Sequence, residues 1–205
     1  MEINPCGQTP EIAAIKAFLV DLDGTLADTA EAKFRAYSHA MADRCMAVDR
    51  TASDREVSGH SWRQYLPAML KRVHSQALAG QVARRKTEPC RENLSQARFN
   101  DALVALLQQL RRSGAQLALV TTASSANVAS LMAARPDIAG LFNLLITGDD
   151  VRRHKPDPEA YCLAAHRLGL QPHECVVIED SEIGVAAARA FGASVLRVSM
   201  DGVRP

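Results

Sequence analysis

At 205 residues the chain suits one domain with an insertion or two small ones, and 47% hydrophobic residues are ample for a core. With 24 basic against 23 acidic residues the formal net charge is +1, so no global field points to nucleic acid or a membrane surface, and any recognition of phosphate must be local. The five cysteines (Cys6, Cys45, Cys90, Cys162, Cys175) are odd in number, scattered and never paired as C-x-x-C. Reduced thiols, rather than a disulfide framework or a zinc site, and a cytoplasmic setting are the expectation.

The residues up to Ile15 carry Glu2, Pro5, Pro10 and Glu11 without an apolar core, so they do not read as a signal peptide. No apolar run approaches membrane-spanning length. The first element is the apolar run Phe18-Leu-Val, a buried strand that stops at Asp21-Leu-Asp23-Gly24-Thr25-Leu26. Acids at such a strand end lie where open α/β sheets bind ligands. Alternation along an extended backbone would point Asp21 and Asp23 to one side, toward one substrate atom. Asp21 is then a candidate nucleophile and Asp23 its acid/base partner, while Gly24 permits a sharp turn. Taken alone, the pair also fits a solvated Asp-Gly turn.

Next, Glu31 to Ala47, Trp62 to Val73 and Ser75 to Arg85 read as helices, with no clear buried strand among them. This all-helical insertion directly follows the first strand, at the sheet's carboxyl edge, and is expected to cover the acids as a lid. From residue 100 the pattern alternates. An amphipathic helix (Asp101 to Arg112) is followed by a turn at Ser113-Gly114, a strand (Leu117 to Val120), a helix and a strand (Leu144 to Ile146). A helix from about Pro158 to Leu168 ends at Gly169; a strand (Cys175 to Ile178), a helix (Ile183 to Phe191) and a last strand (Ser194 to Val198) follow. Short apolar strands separated by helices specify an α/β fold, a doubly wound parallel sheet with right-handed crossovers. The expected division is core over 1–27, helical cap over 28–98 and the remaining core over 99–205.

Four pieces now stand in order: Asp21-Leu-Asp23-Gly-Thr, Thr121 ending Leu-Ala-Leu-Val, Lys155 in His-Lys-Pro-Asp-Pro-Glu, and Glu179-Asp180 ending Val-Val-Ile. Together, from Phe18 to Val198, they resemble the haloacid dehalogenase (HAD) superfamily, in its subgroup with a helical cap after the first core strand. Asp28-Thr-Ala-Glu and Glu179-Asp180-Ser181-Glu-Ile-Gly-Val-Ala-Ala-Ala are closest to the phosphoglycolate phosphatase and β-phosphoglucomutase branch. The resemblance implies a HAD-like, Rossmann-type core. It also implies a Mg²⁺-dependent phosphatase that hydrolyses a small phosphorylated metabolite, of sugar phosphate or phosphoglycolate type, through an aspartyl-phosphate. A phosphosugar mutase is the alternative.

Each piece has chemistry to do in that reaction. A carboxylate attacking a phosphate monoester meets like-charge repulsion, so a divalent cation is needed, and hard oxygen ligands select Mg²⁺. Asp21 and Asp180 are the natural carboxylate ligands; by the resemblance, the Asp23 carbonyl is a third, and Glu179 binds through water or supports the others. Asp23 would protonate the leaving alcohol and then deprotonate water. Thr121 can donate its hydroxyl to a phosphoryl oxygen, and Lys155 brings a compact positive charge. Backbone N–H groups at a helix start near Ser124 or Ser125 could add donors. Plainer roles fit the same residues: a backbone-bonding Thr121, a Pro-led helix start after Lys155, and a helix cap at Glu179-Asp180-Ser181.

Specificity is expected from the cap. By the resemblance, the loop Val57-Ser58-Gly59-His60-Ser61-Trp62-Arg63 reaches the active site, offering Gly59, His60, Ser61 and Arg63 to the substrate. The alternative is Ser61 as a helix cap with His60 in solvent. Lys33, one turn before Tyr37, is either a further substrate contact or a solvated lysine. The chain departs from the family pattern in four places: Trp62 stands where the mutase branch carries an Arg, which weakens the mutase reading; Gln96-Ala-Arg98-Phe-Asn100 replaces a Pro-Gly; His154 precedes the motif lysine; and Thr122, a further substrate-binding candidate, follows Thr121. The expected partner is a small phosphorylated metabolite, with no nucleic acid and no membrane, for a monomer or weak homodimer.

Overall fold

The computed structural model describes residues 15–42, 94, 97–200 and 202–203. The expected helices Trp62 to Val73 and Ser75 to Arg85, and the loop carrying Gly59, His60, Ser61 and Arg63, lie outside these.

In chain order the described elements are β1 (Ala17–Val20), β2 (Ala27–Asp28), α1 (Ala30–Ala42), β3 (Arg98–Phe99), α2 (Asp101–Arg112) and β4 (Gln116–Val120). There follow α3 (Ser125–Ala134), α4 (Pro136–Ala139), β5 (Leu144–Ile146), α5 (Glu159–Leu168), β6 (Cys175–Glu179), α6 (Glu182–Phe191), β7 (Ser194–Ser199) and β8 (Gly202–Val203). The main sheet has the order β5-β4-β1-β6-β7-β8; its first five strands are parallel, and β8 pairs antiparallel with β7. The doubly wound parallel sheet expected from the sequence is present.

Its strands are apolar runs because both faces are covered. On one face Val20, Leu117, Leu119 and Ile178 pack with Leu103, Val104 and Leu107 of α2 and with Val128, Leu131 and Met132 of α3. On the other, Leu19, Ala118, Val120 and Val177 pack with Tyr161, Ala164 and Ala165 of α5 and with Val185, Ala188 and Phe191 of α6. Neighbouring residues of one strand thus serve opposite helical layers, as the two-residue side-chain period requires. Among the described residues no helix is long and apolar enough to cross a membrane.

α2 spans the residues expected, because the Asn100 side chain accepts from the Leu103 N–H and caps it where the apolar period begins. A detail that the sequence alone does not give sits at the ends of the expected insertion. β2 and β3 pair antiparallel, Ala27 with Phe99 and Asp28 with Arg98, so the chain leaving the core and the chain returning to it are bonded to each other.

Candidate active site

β1 lies between β4 and β6, and the winding runs outward from it in both directions, through β5 on one side and β7 on the other. This is a topological switch point, and the crevice beyond its carboxyl ends is where such sheets place ligands. Asp21 follows β1, Thr121 follows β4, Glu179 closes β6 and Asp180 follows it. The sheet ladder holds the first two in place: the Asp21 N–H donates to the Ile178 carbonyl at 2.9 Å, and that of Thr121 to the Ile146 carbonyl at 3.0 Å.

Lys155 enters from the loop between β5 and α5 and is only 1% exposed. Its ammonium donates to Asp21 Oδ1 at 2.7 Å, Glu179 Oε1 at 2.6 Å and the Val120 carbonyl at 3.3 Å. It also stands 5.0 Å from the centre of the Tyr161 ring. The Tyr161 hydroxyl donates to Glu179 Oε1 at 3.2 Å. Glu179 Oε2 accepts from the Asp180 N–H (2.9 Å), the Ser181 N–H (3.0 Å) and the Ser181 hydroxyl (3.0 Å). A fully buried carboxylate is thereby satisfied at both oxygens.

These contacts set the charges. Burial alone would raise the Glu179 carboxyl, but Lys155 and the Ser181 donors hold it below its ordinary value. Burial alone would lower Lys155, yet Asp21 and Glu179 hold it well above. Asp21 is pushed well above the ordinary carboxyl range by burial, then by the charge of Glu179, and Lys155 does not offset this. Burial, and after it Glu179, raises Asp180 to about 6, against a hydrogen bond from Thr25 Oγ1 to Asp180 Oδ1 at 3.0 Å.

One carboxylate oxygen from each of Asp21, Glu179 and Asp180 lies within 4.8 Å of the others. Three acids share one ammonium in a buried space, so with all three ionised the cluster holds more negative charge than its own cation balances. A hard divalent cation fits this donor set and that deficit. Because both Glu179 oxygens already accept from the protein, Asp21 and Asp180 could more readily offer an oxygen to a cation than Glu179.

Two glycines permit this packing. Gly24 turns with φ +90°, and a Cβ there would strike Asp180 Oδ2. A Cβ at Gly184, in the first turn of α6, would overlap the Glu179 carboxylate.

Several expectations are corrected by the geometry. Beyond Val20, where β1 ends, the chain turns, with the N–H groups of Leu26 and Ala27 donating to the Leu22 carbonyl. Asp21 faces Lys155, whereas Asp23 Oδ1 accepts from the Thr29 hydroxyl and pairs with Lys33 Nζ at 2.9 Å. Lys33 is therefore no solvated surface lysine. Nor is the Ser125 N–H free for a phosphate: it and the Ser125 hydroxyl both donate to Asp149 Oδ2, at 2.8 and 2.9 Å. Thr121 is buried at the carboxyl end of β4, its Oγ1 accepting from the Ala123 N–H at 3.0 Å. The Thr122 carbonyl lies against Gly148, where a Cβ would meet it. Ser181 does cap α6, accepting from the Gly184 N–H at 3.1 Å, so the cap role and the site role coexist.

Thr25, Thr29, Tyr161 and Asn100 belong to this network and were not singled out from the sequence. The available signal was polarity beside core residues: Thr25 directly precedes the apolar Leu26-Ala27, Thr29 follows one residue beyond it, and Tyr161 lies on the apolar face of α5.

Residues 15–192 match the haloacid dehalogenase-like hydrolase family. The chain is 33% identical to hexitol phosphatase A of Escherichia coli over 192 residues, covering 93% of this chain and 86% of that protein. It is 29% identical to β-phosphoglucomutase of Bacillus subtilis, covering 87% and 80%. Among solved structures, a CbbY variant from Rhodobacter sphaeroides in complex with xylulose-(1,5)-bisphosphate superposes with a TM-score of 0.82 at 27% identity, covering 90% of this chain and 86% of that one. The motif residues at the switch point and the match over most of the length agree, and the chain belongs to the haloacid dehalogenase-like hydrolase family, among its phosphoric monoester hydrolases.

Proposed function

We propose that this hydrolase is a Mg²⁺-dependent phosphatase of a small phosphorylated sugar or related metabolite, working through an aspartyl-phosphate on Asp21. The observation that carries the reading is the buried convergence of Asp21, Glu179, Asp180 and Lys155 at the carboxyl ends of β1 and β6. The likeness to proteins named hexitol phosphatase and CbbY, the latter with a sugar bisphosphate bound, supports the substrate class.

Asp21 and Asp180 would hold the cation by their carboxylates, and Asp23 by its backbone carbonyl. When bound, the cation relieves the repulsion between Asp21 and an incoming phosphate. The free carboxylate oxygen of Asp21 attacks phosphorus and the leaving alcohol departs, so that one difficult hydrolysis becomes two displacements. Asp23 gives that alcohol its proton and afterwards takes one from the attacking water. Thr121 and Lys155 stabilise charge gathering on the phosphoryl oxygens, with Lys155 already fixed and desolvated before substrate arrives. In this reading Thr122 is a candidate at the phosphate cradle after β4, while residues 28–98 form a helical cap over the crevice, where Gly59, His60, Ser61, Arg63 and Lys33 are candidates for choosing the alcohol. Lys33 does so through Asp23, to which it is bonded.

The relationship to β-phosphoglucomutase favours one second reading, a phosphosugar mutase in which Asp21 returns the phosphoryl group to a sugar. Incubation with a panel of hexose, hexitol and pentulose phosphates and phosphoglycolate separates the two. The phosphatase reading expects inorganic phosphate in step with dephosphorylated product, and none in the presence of chelator. An isomerised sugar phosphate without phosphate release would establish the mutase instead, and silence across the panel would contradict both.

A further inference from the structure

We infer that Asn100 is a positioning residue for cation binding, acting through Thr25 on the Asp180 carboxylate. The inference rests on the cation-dependent reading above. Asn100 stands directly after β3, where the returning chain enters the core, and it is buried (7% exposed).

Its amide joins three separate pieces of the fold. Nδ2 donates to the Thr25 carbonyl at 3.3 Å and to the Ser199 carbonyl, at the end of β7, at 3.1 Å; Oδ1 accepts from the Leu103 N–H at 3.1 Å. The Asn100 N–H donates to the Leu26 carbonyl at 2.9 Å, so both backbone and side chain grip the turn that carries Asp21 and Asp23. Thr25 is fully buried, and its hydroxyl donates to Asp180 Oδ1 at 3.0 Å. From the start of α2 a hydrogen-bonded path thus runs through Asn100 and the Thr25 main chain to one of the two carboxylates best placed for a cation.

Capping alone does not account for the residue. An N-cap needs one acceptor, which Ser or Asp would supply equally well. Two carbonyls converge on the other side of this side chain, and they require two donors. Only an amide carries both sets on one short stem; an aspartate would turn its oxygens toward the two carbonyls. Outer partners that orient a ligand commonly change metal affinity by about 10- to 100-fold when removed.

The test is calorimetric titration of Mg²⁺ into the metal-free full chain, with thermal midpoints measured in parallel. Asn100→Ser keeps an acceptor for the Leu103 N–H but loses both amide donors; Thr25→Val removes the hydroxyl at the other end of the path. Each is expected to weaken Mg²⁺ binding about tenfold or more. The double variant is expected to weaken it no further than Thr25→Val alone, because the two residues act in series. Wild-type affinity in Asn100→Ser, or a double-variant loss equal to the product of the single losses, would overturn the inference. Should Asn100→Ser not fold, wild-type affinity in Thr25→Val alone overturns it as well. A wild-type chain that takes up no Mg²⁺ contradicts the cation reading itself, an outcome distinct from binding that survives the substitutions.

Discussion

Lys33 Nζ lies 2.9 Å from Asp23 Oδ1, which bonds the helix that opens the expected cap to the proposed acid/base of the core. Both side chains are largely buried, at 14% and 10% exposed, so the pair is screened less than a surface ion pair would be. Asp23 also accepts from Thr29, in the segment joining β2 to α1. The acid is therefore held by the chain that leads into the expected insertion.

Replacing Lys33 by Ala removes that partner and leaves Asp23 less well aimed. Turnover of a sugar phosphate, whose alkoxide must be protonated as it leaves, is expected to fall about 10- to 100-fold. Hydrolysis of p-nitrophenyl phosphate, whose leaving group departs without a proton, should fall much less. Steady-state rates on the two substrates check this, and equal losses on both would contradict the assignment.

Gly184→Ala should be severe although the position is helical, where Ala is ordinarily favoured. The new methyl group would occupy the place of the Glu179 carboxylate, and moving that group strips Lys155, Tyr161 and Ser181 of a shared acceptor. Breaking a buried ionic cluster costs about 3–5 kcal/mol. Urea denaturation is expected to show a loss of that order, and an unchanged midpoint would count against the packing described.

The raised Asp180 gives a pH dependence with a definite sign. In the cation-free protein its carboxyl titrates at about 6 against an ordinary 3.8, owing to burial and then to Glu179. The folded state thus holds this proton more tightly than the unfolded chain. That contribution to stability is complete below about pH 4 and is lost as pH rises through 6. Cation binding needs the carboxylate, so Mg²⁺ affinity should climb as pH rises through 6, by about tenfold per pH unit or more below it. The shift of Asp21, also upward, acts in the same sense. Calorimetric titrations between pH 5 and 8 measure the slope, and a flat profile would contradict the shift.

How much was legible beforehand depends on the length over which a pattern repeats. α2 was legible over Asp101–Arg112, since twelve residues show one apolar face and the turn at Ser113-Gly114 marks its end. The strands β1, β4, β5, β6 and β7 were visible as apolar runs because both of their faces are covered. β2 and β3 have two residues each, too few for any period, and their pairing joins positions about 70 residues apart. Asp21, Lys155, Glu179 and Asp180 were expected together from the order of their motifs, and they do converge. The contacts of Asp23 with Thr29 and Lys33 were not legible, because the turn that begins at Leu22 carries no repeating pattern. The Tyr161 hydroxyl as a donor to Glu179 was not legible, because the contact joins side chains of two separate elements, α5 and β6.

Asp21→Asn offers the most direct test of the central claim, measured as phosphate release from the best sugar phosphate in saturating Mg²⁺ with folding verified by its thermal midpoint. The amide is nearly isosteric with the acid but cannot attack phosphorus, so the rate should fall by about a thousandfold or more. A folded Asp21→Asn protein that releases phosphate at the wild-type rate would contradict the assignment of Asp21 as the phosphoryl acceptor.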